Sequence, residues 1–190
     1  MARVIVFALI GAVAGIFLFG ALRDVVGPGP VLLISLAIVA VVLVIALQNL
    51  KSNRKVADAT PEARAQALAF APEAGKASLY LLRTQFVGKA VGANLAVDGR
   101  DVAQLKSPRF TRIVLAPGAR KLSAYYGTPT QRKGEQHLDL NVSAGDIIVV
   151  QAAMEPQMVG SIVKLTRLDL DSARADLQKT RMVMADVGEV

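Results

Sequence analysis

"RFTRIVLAPGARKLSAYYG", residues 109–127, decides how the second half of this chain is read. Two apolar runs flank Pro117-Gly118. In the second of them Leu122, Ala124 and Tyr126 fall on one face at the two-residue period of a strand. The stretch predicts a strand, a Pro-Gly hairpin turn and another strand. Outward from it the same signature recurs. "GKASLYLLR" (75–83) reads as a strand, and "NLAVDGRDVAQL" (94–105) as two strands about Asp98-Gly99, a dipeptide suited to hairpin turns. "EQHLDLNV" (135–142) alternates cleanly, whereas "GDIIVVQAAM" (145–154) does not and predicts a central strand covered on both faces. "GSIVKLTRL" (160–168) is the last strand, and "GTPTQRKGEQ" (127–136) reads as a polar loop. About eight short strands with frequent turn signals predict an antiparallel sandwich over residues 76–168. Residues 169–190 return to helical character from Asp171 to about Met184, with Asp169 or Asp171 as cap and Leu177 and Met184 on one side.

The chain is 53% hydrophobic with a mean hydropathy of +0.45, and the excess lies in the first 50 residues. Val4–Leu22 and Val31–Leu47 carry no charge, and Gly27-Pro28-Gly29-Pro30 separates them. At about 1.5 Å per residue each run approaches the roughly 30 Å of a hydrocarbon core. The reading is a transmembrane helical hairpin over residues 1–50, with spans at about 4–22 and 31–48. A cleaved leader fits less well, because the first run is long and no small-x-small site follows it. Gly11 and Gly15 offer a close-packing step, against the second helix or against another copy. No charge lies inside either span, which argues against a transporter. Lys51, Arg54 and Lys55 follow the second span and Arg3 precedes the first, so both termini are expected in the cytoplasm of a multi-pass bacterial inner-membrane protein. Thr60-Pro61-Glu62 starts a short helix that Pro72 and Gly75 stop, within a juxtamembrane linker, 51–75, acting as a spacer. The expected fold class is therefore an N-terminal two-helix transmembrane hairpin followed by an all-β antiparallel sandwich with a C-terminal helix.

The net charge of +7 comes mainly from residues 77–168, which hold twelve cations against six anions. The absence of cysteine excludes disulfides, thiolate nucleophiles and a lipidated-cysteine anchor. His137 is the only histidine and lies on the polar face of an alternating strand. Asp98, Asp101, Asp139 and Asp146 are the carboxylates available for a pair, but Asp98 and Asp146 read as turn residues. No glycine-rich loop opens a soluble helix. No catalytic, cofactor or metal site is expected. Arg109, Arg112, Arg120 and Lys121 flank the Pro-Gly turn, and Arg132 and Lys133 occupy the polar loop. They are candidates for contact with an anionic surface, against an ordinary solvated face. Phe110, Tyr125 and Tyr126 read as core or hairpin residues, so nucleic acid is not expected as a partner.

The order of "GKASLYLLR", Gly88, "VDGRDVAQL", "LAPGARKLSAYY" and "SAGDIIVV" resembles a bacterial family known only as a domain of unknown function and common in small lipoproteins. The resemblance covers about residues 75–155, matching Gly75, Lys76, Tyr80, Arg83, Pro117 and Gly118. It implies a small β-sandwich and offers no catalytic residues to carry over. The expected function is a membrane-anchored, non-enzymatic interaction or assembly module at the cytoplasmic face, with a protein partner or a second copy bound. The alternatives are a sandwich that binds a small ligand or anionic lipid head groups, and an envelope-facing structural protein if the topology is inverted.

Overall fold

The computed structural model describes residues 27–86, 88–158 and 160–190. The chain divides into two compact units, Met1–Gln48 and Asn49–Val190.

Helix α1 (Pro28–Lys51) starts inside the Gly-Pro-Gly-Pro stretch that was expected to break it. Gly27 holds a positive φ of 83°, and prolines are accepted in a first helical turn because its N–H groups have no acceptor there. Ser35 donates to the Val31 carbonyl at 2.9 Å, satisfying its hydroxyl within the helix. Among the described residues no helix is long and apolar enough to cross a membrane. This overturns the transmembrane hairpin of the expected fold class and, with it, the multi-pass inner-membrane placement. The first proposed span, with Arg3, Gly11 and Gly15, lies outside the described residues.

The second unit is mostly β-sheet. Its strands are β1 (Ala77–Arg83), β2 (Ala93–Val97), β3 (Arg100–Leu105), β4 (Arg109–Leu115), β5 (Gly118–Thr128), β6 (Gln131–Val142), β7 (Ile147–Pro156), β8 (Ser161–Leu168) and β9 (Arg181–Met182). They form a five-stranded sheet A, β8-β7-β1-β4-β9, and a four-stranded sheet B, β3-β2-β5-β6. Leu79, Leu81, Ile113, Ile148 and Val150 of sheet A meet Leu95, Leu105, Leu122 and Leu140 of sheet B in the main core. Burying each such side chain contributes about 1.5–3 kcal/mol.

A second apolar cluster covers the other face of sheet A. There Tyr80, Leu82, Phe110 and Val149 pack under α2 (Pro61–Leu68) and α3 (Leu170–Lys179), through Ala67, Phe70, Ala173 and Leu177. Thr60 caps α2 by accepting from the Ala63 amide at 3.2 Å, and Tyr80 donates its hydroxyl to the Ala67 carbonyl at 2.6 Å. The linker segment is thus packed on the sheet rather than held off as a spacer. Asp169 caps α3, which stops at Lys179. The chain then turns extended as β9, so Leu177 is buried while Met184 is exposed instead of sharing its side.

The sandwich is mixed rather than antiparallel: β1 pairs with β7 and β4 with β9 in parallel. Pro117-Gly118 also differs from expectation. It joins two strands as foreseen, but β4 belongs to sheet A and β5 to sheet B, so it is an arch between sheets and not a hairpin turn. Both hydrogen-bonding edges of each strand are already taken, those of β4 by β1 and β9 and those of β5 by β2 and β6. Asp98 and Gly99, with φ of 49° and 82°, do make the tight β2–β3 turn. The polar stretch 127–136 continues the β5–β6 pairing almost to its tip, with Gly127 opposite Arg132.

Gly134 allows β6 to approach β8 closely. A Cβ there would lie 2.2 Å from the Ser161 carbonyl oxygen, at a φ of 57°. Gly145 has a φ of 88° but nothing within 4 Å. In denaturant titrations Gly134→Ala is expected to cost about 3 kcal/mol of stability, and Gly145→Ala only the conformational part, about 1 kcal/mol. Equal losses would mean the β6–β8 approach is not tight.

Candidate functional site

Strand pairing brings several chain crossings to one end of sheet A. Arg83 closes β1 opposite Arg109, which opens β4, and Arg109 in turn lies beside Arg181, which opens β9. Between these strand ends is a cavity of about 540 Å³, within the size range of small-ligand sites. Its lining is cationic: Lys89 from the β1–β2 loop, Lys106 and Arg109 from the β3–β4 connection, and Lys179 and Arg181 from the exit of α3. Ser107, Pro108, Ala90 and Thr180 complete it, and among the described residues no carboxylate lines it. Among the described residues the one acidic partner of these cations is Asp58, 3.3 Å from Arg181. Lys89 places its ammonium 4.7 Å from the centre of the Phe86 ring.

Each cation is positioned by ordinary fold chemistry. Lys179 lies in the last turn of α3, where exposed carbonyls favour positive charge, and Thr180 ends that helix by donating to the Asp176 carbonyl at 2.8 Å. Lys89 and Lys106 are tied together through a buried arginine. Arg83 reaches from the end of β1 and donates to the carbonyls of Val91 (2.5 Å), Leu105 (2.9 Å) and Gly88 (2.9 Å). Its Nε has no hydrogen-bond partner among the described residues. Burial pushes its pKa down to about 10, which still leaves it charged at neutral pH. The Ser107 amide bonds the Lys89 carbonyl at 3.3 Å, fastening the two loops directly.

The six cations named from the sequence are dispersed. Only Arg109 reaches the cavity. Arg112 donates to Ser78 at 3.1 Å and Glu73 at 3.4 Å, on the helix-covered side of sheet A. Arg120 bonds Asp98 at 2.9 Å and the Ala116 carbonyl at 3.1 Å. Arg132 pairs with Glu135 at 2.9 Å and stacks 4.6 Å above Tyr125. Lys121 and Lys133 are exposed. Of the residues taken as topology determinants, Arg54 pairs with Asp186 at 2.8 Å and its amide bonds Gln104 at 2.6 Å, while Lys55 is exposed and Lys51 closes α1.

The carboxylates and the histidine have structural company. Asp98 accepts from the Lys121 amide at 2.8 Å, and that bond, aided by Arg120, holds its pKa below the usual carboxylate range. Asp101 accepts both short bonds of the Tyr125 hydroxyl, 2.7 and 2.8 Å. Burial first, and then the Asp101 carboxylate, push the Tyr125 phenol well above its ordinary value. Asp146 caps its own turn through the Ser143 amide at 2.8 Å, and Asp139 is exposed. His137 Nδ1 lies 2.8 Å from the Ser123 hydroxyl. Among the described residues no three potential metal ligands gather.

Sequence reasoning missed Lys89, Lys106, Lys179 and Arg181 because they come from three separate chain segments. Lys106, Lys179 and Arg181 stand at or beside the end of a regular element, and Lys89 lies in the β1–β2 loop. No protein-family model matches this chain, and no curated protein matches it.

Two outcomes are expected. Arg83→Met strips donors from three carbonyls and should lower stability by about 2–4 kcal/mol, with faster amide exchange confined first to residues 88–92. Uniformly faster exchange would show that Arg83 does not organise this loop in particular. Asp98 has a depressed native pKa, so its contribution is complete above the ordinary carboxylate range and is lost as pH falls through and below it. Asp98→Asn keeps the turn conformation and should flatten the acid limb of a stability-versus-pH curve; an unchanged limb would refute this.

Proposed function

We propose that the sandwich is a non-enzymatic binding module whose cationic cavity captures a phosphate-bearing anion. The observation that carries this reading is the lining: five cations converge on one concavity without a carboxylate among them. Like charges gathered this closely repel one another, and an anion relieves that cost when it binds. Arginine supplies paired donors at fixed geometry and lysine supplies mobile point charges, a combination suited to the several oxygens of a phosphate group. The Ser107 and Thr180 hydroxyls lie among them. The reading of the domain as a protein-interaction module has less surface to draw on, because the apolar side of α3 is buried on sheet A through Ala173 and Leu177.

Inorganic pyrophosphate is the simplest probe. Isothermal titration at low salt should show saturable binding and a raised thermal midpoint, both fading as ionic strength rises. Replacing Lys106 and Arg109 together by Ala should weaken binding about tenfold or more, since each loses a charged hydrogen bond. Arg120→Ala, in sheet B beside the Pro117-Gly118 arch and away from the cavity, should change little. Equal affinity in all three proteins, or none in the parent, would sink the reading.

A further inference from the structure

The end of sheet A that holds the cavity also carries two of the most exposed large apolar side chains of the second unit. Phe86 follows β1 and is 75% exposed. Met158, in the β7–β8 turn, is fully exposed. Strand β7 runs parallel to β1, so it leaves the sheet by the same end. Gln85 ties the two segments together, exchanging hydrogen bonds of 2.5 Å with the Met154 carbonyl and amide. The Phe86 ring is not folded back onto the core. It stands beside Lys89, whose ammonium lines the cavity. One end of the domain thus combines projecting apolar tips with a cluster of five cations, four of them without an acidic partner among the described residues.

Water disfavours the tips, and no described segment of the second unit covers them. A surface that accepts both features presents phosphate oxygens at one depth and hydrocarbon a few ångströms deeper. Phe and Met side chains insert at such a boundary, and lysine and arginine stay at the level of the anionic head groups. We infer that this end of sheet A docks peripherally on an anionic lipid bilayer, with a lipid phosphate in the cavity and Phe86 and Met158 entering the interface. The inference rests on the anion-binding reading above and names the source of the anion. It differs from a membrane span: no helix takes part, and the contact is reversible and salt-sensitive.

The chain has no tryptophan, so Phe86→Trp in the full chain places a single fluorophore at the tip. Ala119→Trp places one in sheet B at the Pro117-Gly118 arch, where β4 leaves sheet A by the end opposite the cavity, as a control. With phosphatidylserine-containing vesicles the emission of the Phe86→Trp protein should move to shorter wavelength and become accessible to bilayer-embedded quenchers. Pure phosphatidylcholine should leave it unmoved, and the control should not respond to either. Adding Lys106→Glu and Arg109→Glu should abolish the shift, and adding Met158→Ser should weaken vesicle binding several-fold while pyrophosphate affinity stays unchanged. Pyrophosphate binding without any vesicle response would overturn the docking and leave a site for a free anion. A shift of equal size on neutral vesicles would overturn it as well. Absence of both signals would remove the anion-binding reading and the docking together.

Discussion

Strand β1 is the element on which the rest depends, because all seven of its residues are buried. A strand at a solvated surface needs one apolar face, whereas β1 needs two. Ala77, Leu79 and Leu81 are enclosed by sheet B, and Tyr80 and Leu82 by the α2–α3 layer. Exposing either set would cost several side chains' worth of transfer energy, on the order of 5 kcal/mol. That requirement fixes three layers and recruits two helices to a sandwich that would otherwise be complete without them. It also places Arg83, at the end of the strand, where its guanidinium finds no water and takes three carbonyls instead.

The cavity follows from the same register. Antiparallel pairing sets the start of β4 beside the end of β1, and parallel pairing brings in the start of β9. Loops leaving a common end must each present something to water, and here four of the presented groups are lysine or arginine without an acidic partner among the described residues. Charge accounting by segment hides this. Residues 169–190 carry more anions than cations, yet they contribute Lys179 and Arg181 to the cationic cavity.

Much of the sandwich was legible in the sequence because its signals are local. Asp98-Gly99 announces a two-residue turn, Thr60-Pro61 a helix start, and the unbroken apolar run of β7 a doubly covered strand. What was not legible depends on pairing. Pro117-Gly118 has the same local chemistry whether its strands pair or part into different sheets, and only the occupancy of neighbouring edges decides. The polar arms of β5 and β6 escaped notice because Gly127 and Gly134 interrupt their alternation, although both glycines serve close backbone approach. The helical character assigned as far as Met184 failed after Lys179, where hydrogen bonding to Phe110 and Ala57 holds the backbone extended. Arg109 was recognised as a cation, but its partners in space lay far off in the chain.

The position of β1 between β4 and β7 has a consequence for how the protein is made. A ribosome delivers β1 first, yet the strand that completes its second edge ends roughly 70 residues later. At synthesis rates of about 5–20 residues per second, the interval is about 4–14 s. For that time a strand that ends up buried along its whole length has an open edge and an uncovered face, both attractive to other nascent chains. The fold therefore leans on whatever shields emerging polypeptide, and it does so at the element it can least leave exposed.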